Sequence, residues 1–400
     1  MTTQSTKILF VIGSLELGGS EKHLSLIIPS LVKSGFDVTL ITFIKGKLAP
    51  IIEESGARVI ESLPNTALCR YPSFLRAIAR YFLFCMHYIF LLIQWRPSVV
   101  HFFLPRTYIL GSLLNFIPGK RILIMSRRSL SNYQQENPIL ARIERCLHYK
   151  MDAVIANSEA VIRDLRKEGV AEDRLGLIYN GIEFEQFKNI PLRSSVRKSL
   201  GIGENTFLIV CVANLIWYKG HHDLIAALNS IKELLPTDWS ILIVGGDSGI
   251  QARLQSFAEE CGMTKYIHWL GVRTDIPEIY SAADIGVLCS HQEGFSNSVL
   301  EGMASGLTMI VTDVGGNAEA VIDGESGIVV PPKNPEAIGK AILALAFDEA
   351  RRTKMGALAS SRARHHFSLE ACVNRYVKLY NSLLHNSDLK VKDIIDSVSP

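Results

Sequence analysis

The sequence predicts an α/β protein with two domains, each built on a doubly wound parallel sheet. Short runs of β-branched and apolar residues alternate with helix-length segments along the chain. The alternation is interrupted once, near the middle, and then resumes. The length of 400 residues and the apolar content of 48% suit about two domains with large cores and argue against disorder.

The first half contains seven predicted strands. They lie at residues 7–12, 37–42, 57–60, 98–103, 121–125, 152–156 and 175–179, with helices at 20–33, 73–95, 138–150 and 158–168. Gly35 and Gly169 stand where two of these helices should end, because glycine accepts the left-handed conformation found at helix termini. The alternation predicts parallel strands joined by crossover helices.

The second half repeats this pattern with six predicted strands. They lie at 205–212, 240–245, 266–270, 284–288, 308–313 and 327–330, with helices at 222–235, 250–261, 296–305 and 335–346. We therefore predict a first domain at 1–185, a hinge at 186–204, a second domain at 205–366, and a closing helix with a frayed tail at 367–400. Two such domains would bind ligands at the carboxyl ends of their strands, facing a shared cleft.

The charge distribution indicates which partners to expect, and the cysteine content indicates the compartment. The net charge of +3 divides into a basic first half and an acidic second half, which favours an anionic surface or substrate near the first half. Nucleic acid is disfavoured, because no zinc finger, RNA-binding signature or basic run occurs. The seven cysteines are scattered and never spaced C-x-x-C, which indicates a reducing compartment. They are Cys69, Cys85, Cys146, Cys211, Cys261, Cys289 and Cys372.

Two segments bear on localisation. Residues 1–7 are polar and run directly into a strand, which is not typical of a signal peptide, so we expect a cytoplasmic protein. Residues 81–93, YFLFCMHYIFLLI, are nearly all apolar and are flanked by Arg76, Arg80 and Arg96. A buried core helix is the favoured interpretation and a surface-lying amphipathic helix the alternative; the run is short for a span, which needs about 20 residues.

The sharpest chemical signal lies between a predicted strand and a predicted helix. Residues 293–301 read EGFSNSVLE, and the first amides of the helix suit a diphosphate. Glu301 can turn its carboxylate toward vicinal hydroxyls such as those of a ribose, and Glu293 can reach a sugar hydroxyl or the reacting centre. Two glutamates at this spacing are, taken alone, more often solvated surface groups.

The segment EGFSNSVLEGMASGLTMIVTDVGGNAEAVIDGESGIVVPP resembles the donor-binding region of the glycosyltransferase family 4 (group 1) enzymes. In that family a Glu-x7-Glu pair handles the nucleotide-sugar. The segments LELGGSEKHLSLIIPSLVKSGFDVTLIT, IANSEAVIRDL, IYNGIEFEQF, VANLIWYKGHHDLIAAL, ILIVGGD and FSLEACVNRYVKLY resemble further family landmarks, in order, across nearly the whole chain. The resemblance implies a GT-B fold: two Rossmann-like domains facing a cleft, with a C-terminal helix that crosses back.

The resemblance also implies roles for residues at matching positions. Lys219 would neutralise the donor diphosphate, Glu301 would hold the ribose and Glu293 the transferred sugar, with Glu293 and Lys219 as the catalytic residues. The other implied donor-binding residues are Gly18, Gly19, Asn214, Gly245, Val272, Arg273, Phe295, Ser296, Asn297 and Ser298. Gly18 and Gly19 would let the first-domain loop close on the phosphates, and 270–273 would meet the base through its backbone.

Two positions depart from the family pattern. Asn214 stands where most members have an arginine, so Lys219 alone, or with an arginine from elsewhere, would carry the phosphate charge. Many members place a histidine where this chain reads Ser126-Arg127-Arg128-Ser129. Candidate acceptor residues are therefore Arg127, Arg128 and His101, the last being more typical of a packed residue.

The residues present suggest how transfer would proceed. No D-x-D metal motif occurs, so we expect no metal and no cofactor, with the leaving-group charge met by the helix terminus and Lys219. The resemblance implies retention of anomeric configuration, with the acceptor attacking on the leaving-group face. A covalent intermediate on Glu293 is the less favoured alternative.

We predict a hexose-type glycosyltransferase that uses a UDP- or GDP-sugar. Its acceptor would be a glycan or lipid-linked sugar in cell-surface polysaccharide or lipopolysaccharide assembly, presented at an anionic membrane face. Two other classes stay open: a sugar-nucleotide 2-epimerase on the same architecture, which fits the motifs less well, and a non-catalytic sugar-nucleotide binder.

Overall fold

The structure of the protein is a computed structural model that describes residues 5–64, 72–135, 137–385 and 390–397. The chain divides into two units, Met1–Gly181 with Leu369–Pro400, and Ile182–Ser368. Each unit holds one sheet in which every strand pair is parallel. The α/β class and the crossing back of the C-terminal helix, both predicted from the sequence, are confirmed.

The strands follow the predicted positions to within one or two residues at each end. They are β1 Lys7–Ser14, β2 Asp37–Ile44, β3 Arg58–Glu61, β4 Val99–Phe103, β5 Ile122–Arg127, β6 Ala153–Ala156, β7 Leu175–Leu177, β8 Phe207–Val212, β9 Trp239–Val244, β10 Ile267–Gly271, β11 Ile285–Leu288, β12 Met309–Thr312 and β13 Gly327–Val330. The first sheet has the order β3-β2-β1-β4-β5-β6-β7, and the second has the order β10-β9-β8-β11-β12-β13. In each sheet the order reverses beside a central strand, β1 or β8, and such switch points form ligand crevices at the strands' carboxyl ends.

The helices are α1 Gly19–Lys33, α2 Ala49–Glu54, α3 Ser73–Phe90, α4 Pro105–Leu114, α5 Pro138–Leu147, α6 Glu159–Lys167, α7 Arg193–Ser199, α8 His221–Ile231, α9 Gln251–Glu260, α10 Ile276–Ala282, α11 Asn297–Ala304, α12 Asn317–Ala320, α13 Pro335–Ala346, α14 Glu349–His366, α15 Leu369–His385 and α16 Val391–Asp396. The nine predicted helices are present. The sequence analysis missed the 18-residue α14, because its charged and small residues, EARRTKMGALASSRARHH, carry little apolar period.

The predicted hinge at 186–204 contains α7, which belongs to the second unit. Arg197 on this helix is buried, and its guanidinium donates to the carbonyls of Ala282 and Thr206 at 2.9 and 2.8 Å and pairs with Asp284 at 2.9 Å. A buried arginine that satisfies carbonyls and a carboxylate fastens its helix to the domain. The units therefore part at Gly181, not within this segment.

The C-terminal tail differs from the predicted frayed end. Val391, Ile394 and Ile395 of α16 are buried in the first unit's core, and a Cβ on Gly176 would meet Ile395. Residues 386–389 and 398–400 lie outside the described residues, as does Cys69. The other six cysteines are free thiols.

Helix α3 is much less buried than the sequence analysis predicts. It continues through a π-helical turn at Leu91–Trp95, and its core contacts come from Phe84, Tyr88, Leu91 and Leu92. Eight other large apolar side chains are exposed: Phe74, Leu75, Ile78, Tyr81, Phe82, Met86, Phe90 and Ile93. The favoured interpretation of a buried core helix is therefore wrong, since one stripe packs and a broad apolar face does not.

Candidate functional site

The candidate site of the second unit is built from loops at the carboxyl ends of three neighbouring strands. The loop after β8 forms a 3₁₀ turn at Trp217–Lys219, and the loop after β11 carries Glu293 into α11. Ser296 caps α11 by accepting the Val299 amide. The loop after β12 reaches back, where the Gly316 amide donates to the Gly294 carbonyl at 2.8 Å. The sheet topology thus brings these distant segments to one edge.

Lys219 and Glu293 form the centre of this edge. The Lys219 ammonium donates to Oε1 of Glu293 at 2.5 Å, and the Ser290 hydroxyl donates to the same oxygen at 2.7 Å. The two side chains are 19% and 9% exposed. Burial lowers the pKa of Lys219, but the Glu293 carboxylate outweighs it and holds that pKa above its usual range. Lys219 is therefore a fixed cation at neutral pH.

Two glycines let the backbone approach closely enough to form the pair. Gly220 has a φ of +71°, and a Cβ there would lie 1.9 Å from the Cys289 carbonyl oxygen. Gly315 has a φ of +56°, and its Cβ would lie 1.9 Å from the Glu293 carbonyl oxygen. Any side chain at either position would force the loops apart.

A second contact between the loops was missed by the sequence analysis. The His291 ring lies 2.7 Å from Asp223 on α8, and the His291 amide donates to the Tyr218 carbonyl at 2.7 Å. Thr312 on β12 donates to the Ser290 carbonyl at 2.6 Å. The pairing of His291 with Asp223 spans 68 residues of sequence, and the family resemblance gave no signal for it.

The residues expected to meet the nucleotide lie around this edge. Glu301 lies on α11 and is 4% exposed, and its charge helps burial to raise the pKa of Tyr280. The Asn214 side-chain oxygen accepts a hydrogen bond from the Gly246 amide at 3.1 Å and so holds the loop after β9. Asn214 stands at the position where the resemblance leads us to expect an arginine. The Gly245 amide donates to the Gly271 carbonyl at 2.9 Å.

The other expected donor-binding positions differ in accessibility. Val272 is 58% exposed beside this loop, and Arg273 pairs with Asp275 at 2.5 Å. The Phe295 ring is buried against Phe367, with ring centroids 5.2 Å apart. Only the backbone of Phe295 could therefore serve a ligand. Asn297 and Ser298 begin α11, and Ser298 accepts the Tyr280 hydroxyl on its carbonyl at 2.7 Å.

Gly18 and Gly19 lie in the first unit, at the start of α1. Gly18 precedes the helix with extended backbone, and a Cβ there would meet the Glu21 carboxylate. Ser14, at the end of β1, donates to that carboxylate at 3.2 Å. Burial raises the pKa of Glu21.

The three candidate acceptor residues differ in burial. His101 is fully buried, with its ring nitrogens 2.8 Å from Tyr380 and from Ser126, and burial lowers its pKa to about 3. It is a packed core histidine, and a role in contacting acceptor is ruled out by this burial. Arg127 is also buried, because it pairs with Glu144 at 2.7 Å and Glu168 at 2.9 Å. Arg128 is only half-buried.

Across the described part of the chain, no group of three or more His, Cys, Asp or Glu side chains is arranged to hold a metal ion.

Two units that each hold a doubly wound parallel sheet have the architecture of the GT-B class of fold. The chain superposes on Anabaena Alr3699/HepE in complex with UDP-glucose with a TM-score of 0.82 at 23% identity, covering 94% of this chain and 100% of that one. At this identity the likeness shows the fold.

The family follows from the sequence matches. The model for Glycosyltransferase Family 4 matches residues 17–186, and that for Glycosyl transferases group 1 matches 193–362. The chain belongs to this family of glycosyltransferases.

Two curated relatives illustrate its diversity. One is D-inositol 3-phosphate glycosyltransferase of Corynebacterium glutamicum (strain R), 31% identical over 247 residues, which are 60% of this chain and 59% of the relative. The other is the lipopolysaccharide core biosynthesis mannosyltransferase LpsB of Rhizobium meliloti (strain 1021). It is 28% identical over 243 residues, which are 59% of this chain and 67% of the relative. The match thus spans less than two thirds of the Corynebacterium protein's length.

Proposed function

We propose that the protein transfers a hexose-type sugar from a UDP- or GDP-sugar to a glycan or lipid-linked acceptor in the assembly of surface polysaccharide or lipopolysaccharide. The observation that carries this proposal is the Lys219–Glu293 pair beside the start of α11. An ammonium has three N–H donors, and the pair uses one, so Lys219 can also serve a diphosphate. The amides that open α11 add partial positive charge at the same edge.

In this proposal the charge of the departing nucleotide determines the chemistry. Negative charge grows on the diphosphate as the anomeric bond breaks, and donors already in place stabilise it without reorganisation. Lys219 and the helix terminus supply those donors, so transfer proceeds without a metal ion. Glu293 holds hydroxyls of the transferred sugar, and Glu301 holds the ribose. The family resemblance supports retention of anomeric configuration.

The acceptor is reached at a membrane face in this proposal, and the protein works peripherally from the cytoplasmic side. Helix α3 with its continuation, Ser73–Trp95, has 23 residues and is long and apolar enough to cross a membrane by length and composition alone. Its inner stripe packs on β2, where the rings of Phe84 and Phe43 lie 4.3 Å apart. Its exposed apolar face and the flanking arginines suit the surface of an anionic bilayer.

The test is nucleotide release from the purified full-length chain. UDP-, GDP- and ADP-sugars are first screened for thermal stabilisation, since a ligand at 100 times its Kd adds about 2.7 kcal/mol to stability. The stabilising donor is then incubated with and without candidate lipid-linked acceptors, with and without EDTA, and the product anomer is assigned by NMR. Acceptor-dependent, EDTA-insensitive release with retained configuration is expected. Epimerised sugar still attached to nucleotide, or binding without turnover, would contradict the proposal.

A further inference from the structure

The first unit contains a small cavity lined by both polar and apolar side chains. Its volume is about 70 Å³, which exceeds the roughly 10–15 Å³ that a single water needs. It lies at the carboxyl end of β5, and its polar lining is Ser20, Ser126, Arg127, Arg128, Ser129 and Glu144. Ser20 belongs to the first turn of α1, the end of a helix that favours negative charge.

Arg127 and Glu144, two of the charged side chains that line the cavity, pair with each other. Glu144 accepts from Arg127 at 2.7 Å, from Tyr133 at 2.8 Å and from Gln134 at 3.2 Å. Arg127 also forms a forked contact with both oxygens of Glu168 at 2.9 Å. These groups form a closed buried network, because each charge has an opposite charge in contact. The Arg127 guanidinium is therefore already shared between two carboxylates, Glu144 and Glu168, and is not available to a ligand.

Arg128 has no such counter-charge. Its guanidinium donates to the Asn180 side-chain oxygen and bonds the Tyr376 hydroxyl, both neutral groups. Among the described residues, no carboxylate forms an ion pair with it within 4 Å. Glu21 acts on it from farther away, and burial raises the pKa of that carboxyl. A half-buried guanidinium without a carboxylate is a costly arrangement that a bound oxyanion would relieve.

We infer that Arg128, with the serines of this cavity and the first turn of α1, binds a phosphoryl group of a substrate. A guanidinium presents planar donors that match phosphate oxygens, and serine hydroxyls and helix amides complete the shell. The inference rests on the proposed function, since the phosphoryl group would belong to the donor diphosphate or to a phosphorylated acceptor. It separates Arg128 from Arg127, which the sequence analysis had grouped together.

The experiment measures thermal stabilisation by inorganic phosphate, with chloride holding the ionic strength constant. We expect a rise in melting temperature of roughly 2–4 °C at saturating phosphate for the parent protein. Arg128→Gln should abolish the rise, and the exposed neighbour Arg106→Gln should keep it. Because Lys219 could also attract phosphate, the series is repeated with Lys219→Ala, where the Arg128-dependent rise should persist.

A second variant keeps the test decisive if Arg128→Gln folds poorly. Ser129 is exposed, and Ser129→Asp would place a carboxylate beside Arg128. We expect this variant to melt higher than the parent without phosphate and to lose the phosphate response. A phosphate response that survives both Arg128→Gln and Ser129→Asp, or no response in the parent, would overturn the inference.

Two further probes distinguish the source of the phosphoryl group. Loss of stabilisation by UDP in Arg128→Gln assigns the site to the donor, and loss with a hexose 1-phosphate while UDP binding is unchanged assigns it to the acceptor. Neither titration requires turnover. Absence of sugar transfer with an intact phosphate response would therefore contradict the proposed function and leave this inference standing.

Discussion

The carboxylate of Glu293 accepts hydrogen bonds from both the Lys219 ammonium, at 2.5 Å, and the Ser290 hydroxyl, at 2.7 Å. One oxygen thus joins the loops that follow β8 and β11. The pair is preorganised before any substrate arrives, because the packing of Gly220 against Cys289 fixes one loop and the contact of Gly315 with Glu293 fixes the other.

Replacing Gly220 by alanine should disrupt the pair through the backbone. Gly201 provides a matched control, because it has the same φ of +71° and open space where a Cβ would be added. Both variants carry the cost of left-handed backbone, about 1 kcal/mol, but only Gly220→Ala meets a carbonyl at 1.9 Å. We expect urea unfolding to show a larger loss of stability for Gly220→Ala, with reduced nucleotide release. Equal losses in the two variants would contradict the close-approach argument.

Glu301→Ala should weaken nucleotide-sugar binding by about 1–3 kcal/mol, because charge-assisted hydrogen bonds to a ribose diol would be lost. Titration calorimetry with the donor found in the stabilisation screen measures the effect. Glu336→Ala is the control, since that glutamate is exposed on α13 and pairs only with Lys340 among the contacts described. Unchanged affinity in Glu301→Ala would refute the ribose assignment.

The burial of His101 predicts a specific dependence of stability on pH. Its pKa is about 3 when folded and about 6.5 when unfolded, so the unfolded chain binds the proton first as pH falls. The contribution of neutral His101 to the free energy of unfolding is fully present above pH 6.5 and is lost progressively between pH 6.5 and 3. At pH 5 the loss is about 2 kcal/mol. Urea unfolding at pH 7.5 and 5.0 should therefore show a smaller pH effect for His101→Gln than for the parent. An identical pH effect would mean that the pKa of His101 is the same in the folded and unfolded chain, and would contradict its burial as a neutral ring.

The exposed face of α3 predicts binding to anionic vesicles at low salt. Each arginine near such a surface contributes about 1 kcal/mol, and exposed rings add burial in the interface. Phe82→Ser combined with Phe90→Ser should reduce co-sedimentation with phosphatidylserine vesicles. Leu234→Ser, an exposed apolar residue of the second unit, should not. Absence of binding to either kind of vesicle would exclude the membrane role, and equal, salt-insensitive binding to neutral and anionic vesicles would exclude the role of the arginines.

The strands and the loops at their carboxyl ends could be predicted from sequence because each rests on a local signal. A strand such as Thr308–Asp313, observed as Met309–Thr312, is a continuous apolar run between glycines and polar residues. The pairing of Glu293 with Lys219 could not be predicted, because it depends on how strand order brings two distant loops together. The face of α3 was misjudged for a related reason: hydrophobicity predicts burial, but the number of partners a helix finds is a property of the whole fold.

The most direct test of the central claim is initial-rate kinetics of nucleotide release by Lys219→Ala with a working acceptor. If Lys219 stabilises the departing diphosphate, the rate constant should fall about 100-fold or more with a smaller change in binding, because the charge grows toward the transition state. Lys340→Ala, which removes an exposed lysine of α13, should leave the rate unchanged.

Variants that restore a positive charge near position 219 complete this measurement. Lys219→Arg should recover part of the rate, and Asn214→Arg in the Lys219→Ala background should also restore some, because it returns a cation to the same edge. A loss of this size with partial rescue is expected if Lys219 stabilises the departing diphosphate. A Lys219→Ala enzyme within about threefold of the parent, far short of the loss expected for a transition-state donor, would contradict it.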